Sequence, residues 1–387
     1  MISMSTSLPV SAAQKRGRYL MVGGFLGAGK TTAILRLAKL LSDAGKRVGL
    51  ITNDQGSELV DTAMLRSHGF RTEEISGGCF CCRFNSLNEA AQKLEESTKP
   101  DVIIAEPVGS CTDLVSTVSY PLRRIYGNEF SIAPLSVLVD PIRAERVLGL
   151  VAGGGRFSEK VSYIYRKQLE EAEIIVINKT ELRTSEQLEK LKRTLGEHFP
   201  QARVMAISAR QNAGIQEWYE AIASCDQSLR PALSIDYDTY AEGEALLGWL
   251  NATLQISSRK DFDPNEVLLA LARELVNSLK ENHSEAEIAH LKMTLSSDEI
   301  FGEIAVLNMV RSDIGPEISQ VMSDFISSAN IILNLRAEAS PGALYNSLNA
   351  ALKKMAEAEK PLFIRVDHIE HFRPGRPVPT HRVVDMA

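Results

Sequence analysis

The 387-residue sequence has no uninterrupted apolar run near the roughly 20 residues that cross a bilayer, so no membrane contact is expected. Nor are basic residues in excess. Lys and Arg number 43 against 49 Asp and Glu, a net charge of -6, which argues against a nucleic-acid partner. Cysteines are few and odd in number: Cys79, Cys81, Cys82, Cys111 and Cys225. Three thiols within four positions make a poor disulfide framework, so reduced thiols with a metal or redox purpose are expected. Met1 to Arg18 are Ser-rich and lack a signal peptide's apolar centre, so an unstructured lead-in over 1–17 and a cytoplasmic chain are expected. No internal repeat is visible. The remainder is globular in composition, 44% hydrophobic and 24% charged, and long enough for two domains.

The organising stretch is Gly24-Phe25-Leu26-Gly27-Ala28-Gly29-Lys30-Thr31, which fits G-x-x-x-x-G-K-[ST]. A strand-like run precedes it and a helical apolar pattern follows from Thr32. Glycines let successive N–H groups face phosphate oxygens, and the helix start adds positive charge. Lys30 is placed to reach the outer phosphates, and Thr31 to offer its hydroxyl to Mg2+.

Five apolar, β-branched runs follow, at 47–52, 101–105, 135–139, 174–177 and 203–207. Continuous rather than alternating apolarity predicts a mostly parallel sheet between helix layers, an α/β fold with ligands at the strands' carboxyl ends. Those ends carry Asn53-Asp54, Glu106-Pro107-Val108-Gly109, Asp140, Asn178-Lys179-Thr180-Glu181 and Ser208-Ala209. Glu106 suits Mg2+ held through water, and Gly109 a close approach to a γ-phosphate. Asp54 is the candidate to orient water or help hold Mg2+, with a helix-capping role as the alternative. A carboxylate at 181 can accept both guanine N1–H and the exocyclic amine, a pair adenine lacks. GTPases usually have Asp there; Glu181 adds one methylene. Lys179 can pack along the base, and Ser208-Ala209 can offer a backbone N–H to the guanine carbonyl.

Gly77-Gly78-Cys79-Phe80-Cys81-Cys82 gathers three thiols. They suit a soft cation with one position open, Zn2+ first, with Co2+ and Cu(I) compatible. Glu74 is a candidate fourth ligand, while Cys111 and Cys225 read as isolated.

Together the phosphate loop, Asn53-Asp54, the Cys-x-Cys-Cys run, Glu106 to Gly109 and Asn178 to Glu181 resemble CobW-type P-loop GTPases, related to HypB and UreG. The resemblance covers about 18–225. It implies a P-loop NTPase fold, GTP and GDP as ligands with Mg2+, and slow GTP hydrolysis. Zn2+ or Co2+ would be cargo for a metalloenzyme client, with a link to cobalamin metabolism and a homodimer both open. Gln55-Gly56-Ser57-Glu58 departs from the family's Phe-Gly-Glu. A metal- and nucleotide-sensing regulatory module, or an ATPase or kinase, are the alternatives.

Cys225 to Ile235 reads as a linker (226–235) before a smaller α+β domain at 236–366. Asp263-Pro264 and Ser340-Pro341 open helices, and Ile288-His290-Lys292-Thr294 should form the half-exposed face of a strand. Asp236, Asp238, Glu242 and Glu244 should be a solvated acidic patch. Residues 367–387, with His368, His371 and His381, should be a polar tail.

Overall fold

A computed structural model describes residues 17–56, 60–127, 130–152, 157–300, 303–358 and 362–384. Residues 1–16 of the expected lead-in and Ser57-Glu58 lie outside the described residues.

The first half forms one parallel sheet. Its strands are β1 (Gly17–Gly24), β2 (Val48–Asn53), β3 (Thr72–Ile75), β4 (Val102–Glu106), β5 (Phe130–Ile132), β6 (Ser136–Val139), β7 (Ile174–Ile177) and β8 (Arg203–Ala206). They lie in the order β3-β2-β4-β1-β6-β7-β8, with the short β5 also pairing β1. Every pairing is parallel. All of β4, β6 and β7 is buried, as runs covered on both faces should be. The short β3 and β5 escape the pattern because four and three residues carry too little periodicity.

The second half forms an antiparallel sheet from β9 (Leu247–Phe262), β10 (Glu287–Ser296), β11 (Ile304–Met309), β12 (Glu317–Gln320), β13 (Ile326–Glu338) and β14 (Phe363–Phe372), ordered β12-β11-β10-β13-β9-β14. Helices Pro264–Asn282 and Pro341–Ala356 cover one face, through Leu268, Leu271, Leu275, Leu344 and Leu348. Their starts are capped as the sequence predicts. Asp263 accepts from the N–H groups of Asn265 and Glu266, and Ser340 from Ala343.

The other face is not solvent-exposed. His290 and Thr294 on β10 are 5% and 3% exposed, and the face packs on the helix Val60–Ser67 and on Asp54 just after β2. The expected half-exposed face of β10 is therefore an internal surface between two sheets. β9, the strand that carries Asn251 and Trp249 onto this face, was not foreseen. On that side Trp249 and Asn251 are buried while Gln255 and Ser257 are exposed, so no single wet face marks it as a strand. The last strand runs to Phe372, beyond the expected boundary at 366, and takes His368 and His371 into the sheet. His371 stacks on Tyr345 rather than facing a ligand group. Among the described residues no helix is long and apolar enough to cross a membrane.

Candidate nucleotide and metal site

At the phosphate loop, Gly29 has φ +85° and caps the helix Lys30–Asp43. A Cβ there would lie 2.5 Å from Asn178 Nδ2, so the loop closes on the β7 end only with glycine. Lys30 donates to Gly24 O at 2.9 Å and sits 3.9 Å from Glu106 Oε1. Burial lowers its pKa. Thr31 Oγ1 donates 2.7 Å to Asp61 Oδ1 and lies 3.1 Å from Glu106 Oε1. Burial, then the nearby Asp61, pushes Glu106 up to about 7. Thr32 is exposed, and Gly109 packs against Leu26 of the loop, whose N–H would be 2.9 Å from a Cβ.

The expected guanine end is gathered on the same loop. Asn178 Nδ2 donates to Ala28 O at 3.0 Å, and its Oδ1 accepts the Ala209 N–H at 3.1 Å. Lys179, at φ +58°, donates to Gly27 O at 2.6 Å and to Asp140 Oδ2 at 2.9 Å. Burial works against an ionised Asp140, but Lys179, Arg311 and Arg143 hold its carboxyl well below the usual range. Glu181 Oε2 accepts the Ser208 hydroxyl at 2.5 Å. The N–H groups of Ser208 and Ala209 both have protein acceptors, Ala213 O and Asn178, so neither stands ready for a base carbonyl without rearrangement.

The three thiols of the Cys-x-Cys-Cys run converge. Cys79 Sγ is 2.8 Å from Cys81 Sγ and 3.3 Å from Cys82 Sγ, and the latter two are 3.7 Å apart. Asn53, at the end of β2, fixes their loop: its Nδ2 donates to Gly78 O at 2.7 Å and its Oδ1 accepts from Phe80 N at 2.9 Å. Cys111 is not isolated. Its buried thiol, with those of Cys81 and Cys82, lowers the Cys79 pKa well below a free thiol's. Cys81 is pushed up by Cys79, and Cys82, also by Cys79, to about 11. Among these four thiols Cys79 is the one most disposed to ionise. Glu74, on β3 beside Thr52, is not in the thiol group.

Residues 18–206 match the CobW/HypB/UreG nucleotide-binding domain. That match covers just under half of the chain, and these residues form a domain of the CobW/HypB/UreG type. The zinc chaperone CobW of a Sinorhizobium species is 30% identical over 191 residues, 42% of this chain and 50% of that protein. The zinc chaperone YeiR of Escherichia coli is 31% identical over 182 residues, 46% and 50% respectively. The chain thus spans about half the length of the curated relatives it matches. Among solved structures, the Zn(II)-bound YjiA GTPase of E. coli aligns with 82% of this chain and 94% of its own at 16% identity, TM-score 0.35.

Several groups around the CobW-type domain were not visible in the sequence. The carboxylate beside Thr31 is Asp61, on the helix Val60–Ser67, and not Asp54. The only signal for it is an acid opening a helix after β2. Asp54 instead pairs with Arg336 of β13 at 3.1 and 3.2 Å. Glu244 is no part of a solvated patch. It is 1% exposed, its Oε1 accepts from Ser110 Oγ at 2.6 Å, and its Oε2 is buried without a partner. Burial, then Cys79, raises its pKa well above a free carboxyl's. Asp236, by contrast, caps the helix Tyr237–Leu246. Residues 378–383 are not a free tail. Val378 N–H donates to Cys82 Sγ at 3.3 Å, Thr380 N–H to Cys81 O at 2.8 Å, and Val383 N–H to Ser116 O at 2.9 Å. His381 meets Phe84 edge-on at 4.9 Å. This strap covers the thiols with backbone.

Proposed function

We propose that this chain binds and hydrolyses GTP, and that it carries Zn2+, or Co2+, on the Cys79-Cys81-Cys82 triad for a client metalloprotein. The observation that carries this is the wiring of the triad to the phosphate end. Asn53, closing β2, holds the thiol loop, and the buried Cys111, whose thiol helps lower the Cys79 pKa, stands two residues after Gly109 on the β4 loop.

The hard-donor set fits Mg2+. Thr31 Oγ1, Asp61 and Glu106 converge, and the buried Glu106 Oε2 has no partner. These residues would hold the ion, which supplies charge neutralisation for phosphoryl transfer. Lys30 leaves Gly24 O for an outer phosphate oxygen. Glu181 and Asn178 select the base, Lys179 lies along it, and Asp54, oriented by Arg336, is the group for the attacking water. The cargo ion takes the three thiolates. Tetrahedral bonds of about 2.3 Å set sulfurs about 3.8 Å apart, so the Cys81–Cys82 spacing already fits and Cys79 must open slightly. Cys111 supplies the fourth sulfur. A shift of the β4 loop on γ-phosphate loss then moves a ligand, so nucleotide and metal affinities are linked.

Zinc affinity, read by competition with a chromophoric chelator, should differ by about tenfold or more between GDP- and GTP-analogue-loaded protein. Equal affinities would remove the linkage. Reduced, Mg2+-supplied protein that took up no guanine nucleotide would remove the whole reading. ATP displacing a GTP analogue at equal concentration would favour a kinase or ATPase.

A further inference from the structure

The second sheet places a cation where the nucleotide's metal belongs. Lys292 is a mid-strand residue of β10, paired across to Asn308 of β11 and Asn334 of β13. Its Nζ lies 2.6 and 2.7 Å from the two oxygens of Asp61, the carboxylate that also accepts from Thr31. Both Asp61 oxygens are thereby occupied by one ammonium. Burial favours a neutral amine, but Asp61 and Glu106 outweigh it and keep Lys292 charged. Lys30 and Lys292 thus set two ammonium groups against the two carboxyl groups of Asp61 and Glu106. The same contact holds the helix Val60–Ser67 to the second sheet, with Val60 N–H donating to Asn334 Oδ1 at 3.0 Å.

With an ammonium bridging both its oxygens and Thr31 on one of them, Asp61 has few lone pairs left for a divalent ion, so ammonium and ion compete for it. Adding the ion beside Lys30 and Lys292 would also crowd like charges in a water-poor site, where their repulsion is strong. We propose that Lys292 holds the Mg2+ position of the nucleotide-free protein and is exchanged for the ion when Mg2+ and GTP bind, so that loading the phosphate site breaks an ion pair between the two sheets. This rests on the nucleotide-binding role proposed above. Lys292 is then a positioning residue. It keeps Asp61 and Glu106 from repelling one another when the site is empty, and it competes with the metal when the site fills.

The test is binding of a fluorescent GDP analogue titrated with Mg2+, for wild type, Lys292→Met and Lys292→Arg. With the competitor gone, Lys292→Met should need about tenfold less Mg2+ for half-maximal nucleotide retention. It should also melt at a lower temperature than wild type when nucleotide-free, and Lys292→Arg should keep wild-type behaviour in both. In wild type, amide exchange in β10 should rise on adding Mg2+ and nucleotide. Loss of nucleotide affinity in Lys292→Met, equal with Mg2+ and with EDTA, would overturn the proposal by making Lys292 a phosphate clamp. An unchanged Mg2+ requirement would overturn it as well. Wild-type protein that retained no guanine nucleotide at any Mg2+ level would instead overturn the functional role on which it rests.

Discussion

Arg336→Met should weaken the joint between the two sheets by an amount the structure allows one to bracket. Arg336 is fully buried and pairs with Asp54, whose side chain is 13% exposed. It also donates to Leu250 O and Leu335 O, both at 3.0 Å, and its guanidinium lies 3.9 Å from the Trp249 ring centroid. Removing one partner of a buried pair costs about 3–5 kcal/mol, because the other charge is stranded. Asp54 keeps some solvent and the N–H of Gln55 at 2.6 Å, which places the expected loss near the low end, about 3 kcal/mol. Asp54→Asn strands the guanidinium in turn. The double variant should therefore be less destabilised than the sum of the singles, with a coupling of about 1–3 kcal/mol. Urea unfolding followed by tryptophan fluorescence suits the measurement, since Trp249 lies under the guanidinium and Trp218 in the first sheet's core. A loss under about 1 kcal/mol for Arg336→Met, or strict additivity in the double variant, would show that the pair does not join the sheets.

Two further outcomes follow from the buried groups. In Cys111→Ser, Co2+-loaded protein should lose about a quarter of its thiolate-to-metal charge-transfer absorbance, and Zn2+ affinity should fall about tenfold; an unchanged spectrum would leave the triad as the complete sulfur set. Glu171 is pushed up to about 8 by burial and then by Asp113, against the Val115 N–H and Thr112 hydroxyl that favour its ionised form. The folded chain therefore holds a proton that the unfolded chain releases from about pH 4.5 upward, so stability should fall as pH rises from about 4.5 to 8, by up to about 1.4 kcal/mol per unit. Glu171→Gln should flatten that slope, with Glu106 contributing a residual of the same sign up to about pH 7; a slope equal to wild type would assign the effect elsewhere.

What the sequence made legible is what lies close along the chain. The phosphate loop, its flanking strand and helix, and the polar strand ends are local patterns, and each carries its geometry within a few residues. The three thiols fall in the same class. What stayed hidden arrives through packing. Lys292 and Arg336 come from strands more than 200 residues beyond the phosphate loop, on a face whose polarity reads as solvent-facing because nothing nearby reveals a second sheet. Glu244 looked like one acid among several, and only the fold buries it against Ser110. Cys111 reads as solitary because the thiol it influences, Cys79, lies on another loop, one that Asn53 holds through Gly78. Asp61 stood in a segment where a single acid at a helix start is commonplace. The strand β9 shows the same logic: part of its outward row is internal and part is wet, so a pattern tuned to one wet face does not mark it.

The strap at 378–383 carries one consequence for traffic through the thiols. Cys79 and Cys81 are almost wholly enclosed, and the half-buried Cys82 already has the Val378 N–H on its sulfur. In the proposed cargo role, an acceptor coming to this corner would meet that backbone beside Cys82. Handover would then be the trading of one peptide for another, and its pace would follow how readily the chain end peels away rather than how firmly sulfur grips the cargo.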